Sequence, residues 1–158
     1  MITQPLDIAA SSLVVIDVQG KLAQLMHDKD ALFRNIIILI KAAKALDIPI
    51  TWCQQVPRAL GPTLPAIADL LTGLQPIDKA AFSCCGSDLF NAALNALDRP
   101  QTLLCGIETH VCVYQTAMDL ARKGYQVTVV ADAVSSRTVQ NRQTALARMT
   151  AAGIVVAS

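Results

Sequence analysis

Six short apolar runs alternate with helix-patterned stretches along this chain, and that alternation constrains the fold more than any other feature. The runs cover residues 13–18 (LVVIDV), 50–53, 77–82 (IDKAAF), 103–106, 126–130 and 154–156. Between them, apolar positions recur at helical spacing over residues 28–46, 87–97, 109–123 and 138–151, with a shorter turn at 67–71. A first run with so little polar alternation suits a parallel strand covered on both faces. Every crossover is long enough for a right-handed connection, so the pattern predicts a three-layer α/β/α sandwich on a mostly parallel sheet. The 158 residues support one such domain, 1–158, with no repeat and no linker. The segment QQVPRALGPTLP, rich in Pro and Gly, reads as a loop over one edge.

Composition narrows the function classes. A net charge of +1 and 4% aromatic residues offer no basic, stacking surface, which argues against nucleic acid or an anionic membrane as partner. No apolar run reaches the roughly 18 residues of a membrane span, and MITQPLDIAA is not patterned as a signal peptide, so a cytoplasmic location is expected. The cysteines are Cys53, Cys84, Cys85, Cys105 and Cys112, an odd number that suits reduced thiols. Their spacing fits neither a zinc site nor a C-x-x-C motif, and with only His27 and His110 no metal site is expected. The high apolar content, 53%, points to strands buried on both faces and to a subunit interface, hence a homo-oligomer.

In open parallel sheets, ligands bind beyond the carboxyl ends of the strands. Three chemically distinct groups fall at that edge. Asp17 ends the first run, Lys79 lies in the third, and Cys112 follows the fourth within a turn of a helix start. A thiol near unpaired N–H groups and the positive end of a helix dipole is expected to ionise easily. Each residue also has a purely structural reading: Asp17 as a cap or the salt-bridge partner of Lys79, and Cys112 as a small core residue. A buried Asp–Lys pair is a poor source of stability, which favours use over structure. Together the groups offer a base, a cation and a nucleophile.

Asp17 within IDVQ, Lys79 within IDKAAFS, and GIETHVC leading to Cys112 resemble the Asp–Lys–Cys triad of the isochorismatase-like cysteine hydrolases. QQVPRALGPTLP, KAAFSC, GIETHVCVYQTAMDL and DAVSSR are similar to the small isochorismatase-domain-containing members. The resemblance implies a Rossmann-like sheet in order 3-2-1-4-5-6. It also implies a cis peptide between Ile107 and Glu108, with the Glu108 and Cys112 amides as oxyanion hole. Gln19, Gln55 and Pro57 become pocket candidates. The implied activity is hydrolysis of a small amide-like substrate through a thioester on Cys112, with no cofactor. Vinyl ether hydrolysis with Asp17 as acid and a non-catalytic scaffold are the alternatives. Nicotinamidases of this superfamily hold a metal on Asp and His after the second strand, where this chain has TWCQQVPRALG. Members also usually add a final helix after the sixth strand, and this sequence ends at Ser158. An ordinary dinucleotide-binding domain is disfavoured, because DVQGKLAQ carries no G-x-G-x-x-G.

Overall fold

A computed structural model describes residues 5–158; the first four residues of MITQPLDIAA lie outside them. Strand β1 (Ser11–Ile16) is buried along its whole length and pairs in parallel with β2 (Ile50–Gln55) and β4 (Gln101–Ile107). β3 (Ile77–Lys79) extends the sheet beyond β2, while β5 (Gln126–Ser135) and β6 (Val155–Ala157) extend it beyond β4. The sheet has six parallel strands in the order β3-β2-β1-β4-β5-β6. Strand order reverses between β1 and β4, which opens a crevice at their carboxyl ends.

Alternate residues of β1 serve two cores. Leu13 and Val15 pack with Leu32, Ile36 and Ile40 of α2 (Lys29–Ala45). Val14 and Ile16 face the other layer, made by α5 (Asp88–Leu97), α6 (Tyr114–Arg122) and α7 (Val139–Ala151), through Phe90, Leu120 and Met149. Double burial explains why the run shows no polar alternation. Ser87 and Thr138 cap α5 and α7 with their hydroxyls. Asp28, at the start of α2, makes no such bond and adopts a left-handed conformation instead.

Several boundaries differ from the sequence reading for local reasons. Short helices α1 (Gly20–Gln24), α3 (Pro57–Leu60) and α4 (Pro65–Ala68) occupy stretches too brief to show periodicity, α3 lying inside the expected loop. β3 stops at Lys79 rather than running to Phe82, because the Ala81 and Phe82 carbonyls turn back to the Lys79 ammonium. β5 continues past Val130 through a register shift: Leu104 pairs with Val129 but Gly106 with Val134. Arg142 bonds the Ala131 and Val134 carbonyls along this irregular stretch.

Candidate active site

Asp17 follows the last residue of β1 in a left-handed conformation, φ 54°, with its N–H donated to the Cys53 carbonyl at 3.2 Å. Aspartate tolerates that conformation better than most residues, and here it turns the side chain out of the strand's alternation. The turn is packed against β4. A Cβ on Gly106, φ 119°, would lie 2.0 Å from the Ile16 carbonyl oxygen, so only glycine lets the strands approach this closely.

Lys79 reaches across β2 to the same point. Its Nζ donates to Asp17 Oδ2 at 2.7 Å, to Gln55 Oε1 at 2.6 Å, and to the Phe82 and Ala81 carbonyls at 3.0 and 3.2 Å. The side chains of the pair are 0% and 2% exposed. Burial raises the Asp17 carboxyl above its usual range, and the attraction of Lys79 offsets that only in part. For Lys79, burial pulls downward, but its acidic neighbours, Asp17 above all, outweigh it and the ammonium is held above its ordinary value. Asp17 is therefore a stronger base than a surface carboxylate. Its second oxygen, Oδ1, is buried without a hydrogen-bond partner among the described residues.

Cys112 stands beside that carboxylate, and the thiol and Asp17 perturb one another. The sequence reading placed it in the first turn of an α-helix. It lies instead in a π-helical turn, Thr109–Val113, that precedes α6. The Glu108 carbonyl accepts from the N–H groups of Val111 and Val113, bracketing Cys112. The peptide Ile107–Glu108 is cis. The Glu108 side chain turns away to Arg137: Oε2 accepts from the Arg137 N–H at 3.1 Å and Oε1 lies 3.2 Å from its Nη2. His110 bonds Ser136 through Nδ1 at 2.9 Å, so the loop after β5 braces the start of the turn at two points.

One expectation is overturned. The Cys112 thiol does not ionise easily in the resting site: burial, then the negative charge of Asp17, push it up to about 12, with Lys79 opposing. Whatever the turn's amides contribute, loss of water and a neighbouring carboxylate outweigh it. The resting site holds a thiol beside a base.

The pocket candidates divide. Gln19 is fully buried; its Nε2 bonds the Gln55 and Gly61 carbonyls and its Oε1 accepts from the Gln55 N–H at 2.6 Å. It clamps β1 to β2 and has no surface to offer a ligand. Gln55 turns its amide to Lys79 and to the Ala80 carbonyl. Pro57 borders a shallow cavity of about 360 Å³ with Val56, Arg58, Asp78, Lys79 and Ala80. Trp52 is tied by its indole N–H to Thr63, a core role. Cys53, Cys84 and Cys105 are buried free thiols and Cys85 is half-buried. The sequence reading did not anticipate the Glu108–Arg137 clamp; a lone Arg in DAVSSR, some thirty positions on, carries no spacing signal.

Comparison with known proteins agrees with the fold. The isochorismatase domain description matches residues 11–158. Isochorismatase domain-containing protein 2 of Bos taurus is 38% identical over 152 residues, 91% of this chain and 69% of its own length. The secreted isochorismatase effector Isc1 of Phytophthora sojae is 38% identical over 153 residues, 94% of this chain and 73% of its own. Among solved structures, the MAR1 ribonuclease of Caenorhabditis elegans superposes with a TM-score of 0.91 at 36% identity, covering 98% of this chain and 80% of that one. The nicotinamidase PncA of Bacillus subtilis shares the fold, with a TM-score of 0.82 at 19% identity over 94% of this chain and 99% of its own. The chain belongs to the isochorismatase family, a family of hydrolase fold.

Proposed function

We infer that this chain is a cysteine hydrolase of small amide-like substrates, acting through Asp17, Lys79 and Cys112. One observation carries the reading. Asp17 has one oxygen tied to Lys79 and the other buried and unpartnered, and Cys112 stands beside the carboxylate. An unsatisfied buried carboxylate oxygen is costly, and a proton from Cys112 is what it lacks.

Asp17 Oδ1 takes the thiol proton as Sγ attacks the carbonyl carbon. The Glu108 and Cys112 N–H groups hold the oxyanion that forms. As the C–N bond breaks, Asp17 returns the proton to the departing nitrogen, leaving a thioester. Water then attacks the thioester, Asp17 takes its proton, and the acid product leaves as the thiol is restored. Lys79 keeps a carboxylate and a developing thiolate compatible at close range throughout. No metal is invoked, since the segment after Trp52 carries Gln54 and Gln55 and neither His nor Asp.

A burial-raised Asp17 also suits a proton donor, which favours vinyl ether hydrolysis as the second reading. One relative is named a ribonuclease. For this chain a net charge of +1 and a triad lying beneath the surface favour a small substrate. We place the whole chain, as one domain, in the cytosol on its free thiols, with copies of it associating. Among the described residues no helix is long and apolar enough to cross a membrane.

The test is a panel of amides, carbamoyl compounds and isochorismate assayed with the unaltered protein, Cys112→Ala and Asp17→Asn. Amide turnover should fall about a thousandfold or more in both variants. Isochorismate consumed equally well by Cys112→Ala and lost in Asp17→Asn would establish the vinyl ether reading. Turnover of nothing, with no covalent adduct on Cys112, would leave a scaffold.

A further inference from the structure

We propose that Gln55 is a positioning residue: a neutral acceptor that fixes the Lys79 ammonium while leaving its charge undivided for Asp17 and Cys112. The inference rests on the triad reading above and adds a fourth residue to it.

An ammonium has three N–H bonds, and Lys79 points them at four oxygens. Gln55 supplies the shortest of these contacts, 2.6 Å. It is well placed to do so, since Gln55 and Lys79 are register partners on adjacent parallel strands. Lys79 must cross β2 to reach Asp17, and Gln55 stands on that strand. The amide is itself held: Nε2 donates to the Ala80 carbonyl at 2.8 Å, which determines that Oε1 is the atom facing Lys79. Gln19 then secures the Gln55 backbone from both sides, accepting from its N–H and donating to its carbonyl. Gln19, Gln55, Lys79 and Asp17 thus form one connected network, fully hydrogen-bonded up to the free oxygen of Asp17.

Charge explains why an amide suits this place better than a carboxylate. The titratable groups facing the ammonium are Asp17 from the end of β1, Cys53 from β2, Cys84 from the turn after β3 and Cys112 from the π-helical turn. All of these gain negative charge when they ionise. A fourth acceptor with its own charge would compete with Asp17 and the thiolate for one cation; a glutamine holds the cation without competing.

The probe is iodoacetamide alkylation of Cys112, followed by mass spectrometry across a pH series, with Cys112→Ala as the blank. Gln55→Glu and Gln55→Met are close to isosteric, and their circular dichroism establishes the fold. If neutrality matters, Gln55→Glu displaces the alkylation profile alkaline by about one pH unit, roughly a tenfold lower rate constant at fixed pH. Gln55→Met, which loses the brace but adds no charge, falls less. A merely structural brace predicts the reverse order, because glutamate still offers an oxygen to Lys79. That reverse order, or Gln55→Glu titrating with the unaltered protein, overturns the proposal. Should Gln55→Met not fold, the displacement in Gln55→Glu decides alone. Lys79→Ala separates the two levels of inference. If it slows alkylation while Gln55→Glu does not, only the role of Gln55 is lost. If it too leaves alkylation unchanged, the triad reading falls and takes this proposal with it.

Discussion

Asp17 and Lys79 form an ion pair that a stability argument alone would not place here. Both side chains are out of water, and for Asp17 the attraction of Lys79 only partly offsets the desolvation. What the pair supplies is a carboxylate that is both unusually basic and half unsatisfied, next to a thiol held neutral. This arrangement has a thermodynamic signature. Lys79→Met leaves Asp17 as an unpaired buried charge and is expected to lower stability by about 3–5 kcal/mol. The double variant Asp17→Asn/Lys79→Met removes both charges, keeps a side chain suited to the left-handed backbone, and is expected to recover most of that loss. Urea denaturation of the two single variants and the double variant measures the coupling; equal, additive losses would show that the pair is not electrostatically linked.

Elements near the site are shaped by what they must present. β3 ends at its lysine because the following carbonyls fold back as ammonium ligands. Residues 109–113 form a π-helical turn in front of α6, so Cys112 sits on a distorted turn instead of a regular one. These local departures depend on β1 and β4 lying close enough for Asp17 and the turn to meet, and Gly106 permits that. Gly106→Ala would put a methyl group into the Ile16 backbone at a φ that alanine disfavours. It is expected to destabilise by about 2 kcal/mol or more, and the protein that remains folded should alkylate Cys112 more slowly. A melting curve together with the alkylation rate checks both halves. Unchanged alkylation in folded Gly106→Ala would mean that strand spacing does not set the site.

Across the whole molecule the buried thiols make stability pH-dependent on the alkaline side. Burial raises Cys105 and Cys112 from 9.0 to about 12, and a thiol neighbour and burial raise Cys53 in the same direction. A group whose folded value is raised contributes stability below its unfolded value and loses it as pH rises towards the folded one. Lys79, held above 10.5, acts the same way. Asp17, raised from 3.8, has already lost its contribution as pH climbs through its folded value. The urea midpoint is therefore expected to hold up to about pH 9 and then fall. Cys105→Ala should flatten the decline by at most about 1.4 kcal/mol per pH unit. A decline of unchanged slope in that variant would place the pH dependence elsewhere. The same burial explains why the expected easy ionisation of Cys112 was wrong: the sequence shows a helix start, but the loss of water is a property of the assembled fold.

What the sequence determined by itself was the layered sheet and three residues that the fold then brings to one edge. Unalternated apolar runs specify strands covered on two faces, long crossovers specify parallel order, and Asp17, Lys79 and Cys112 stand out because charge and thiol at strand ends need partners. Only the tertiary structure decided how those residues stand to one another. Gln55 looked like part of a wall until strand register set it opposite Lys79, and Gln19 until its amide was found spent on two backbones. The Glu108–Arg137 clamp and the neutral state of the thiol belong to the same class. The physical reason is common to all of them. Periodicity records which face of an element leaves water, whereas hydrogen-bond partners and ionisation depend on contacts between elements far apart in the chain.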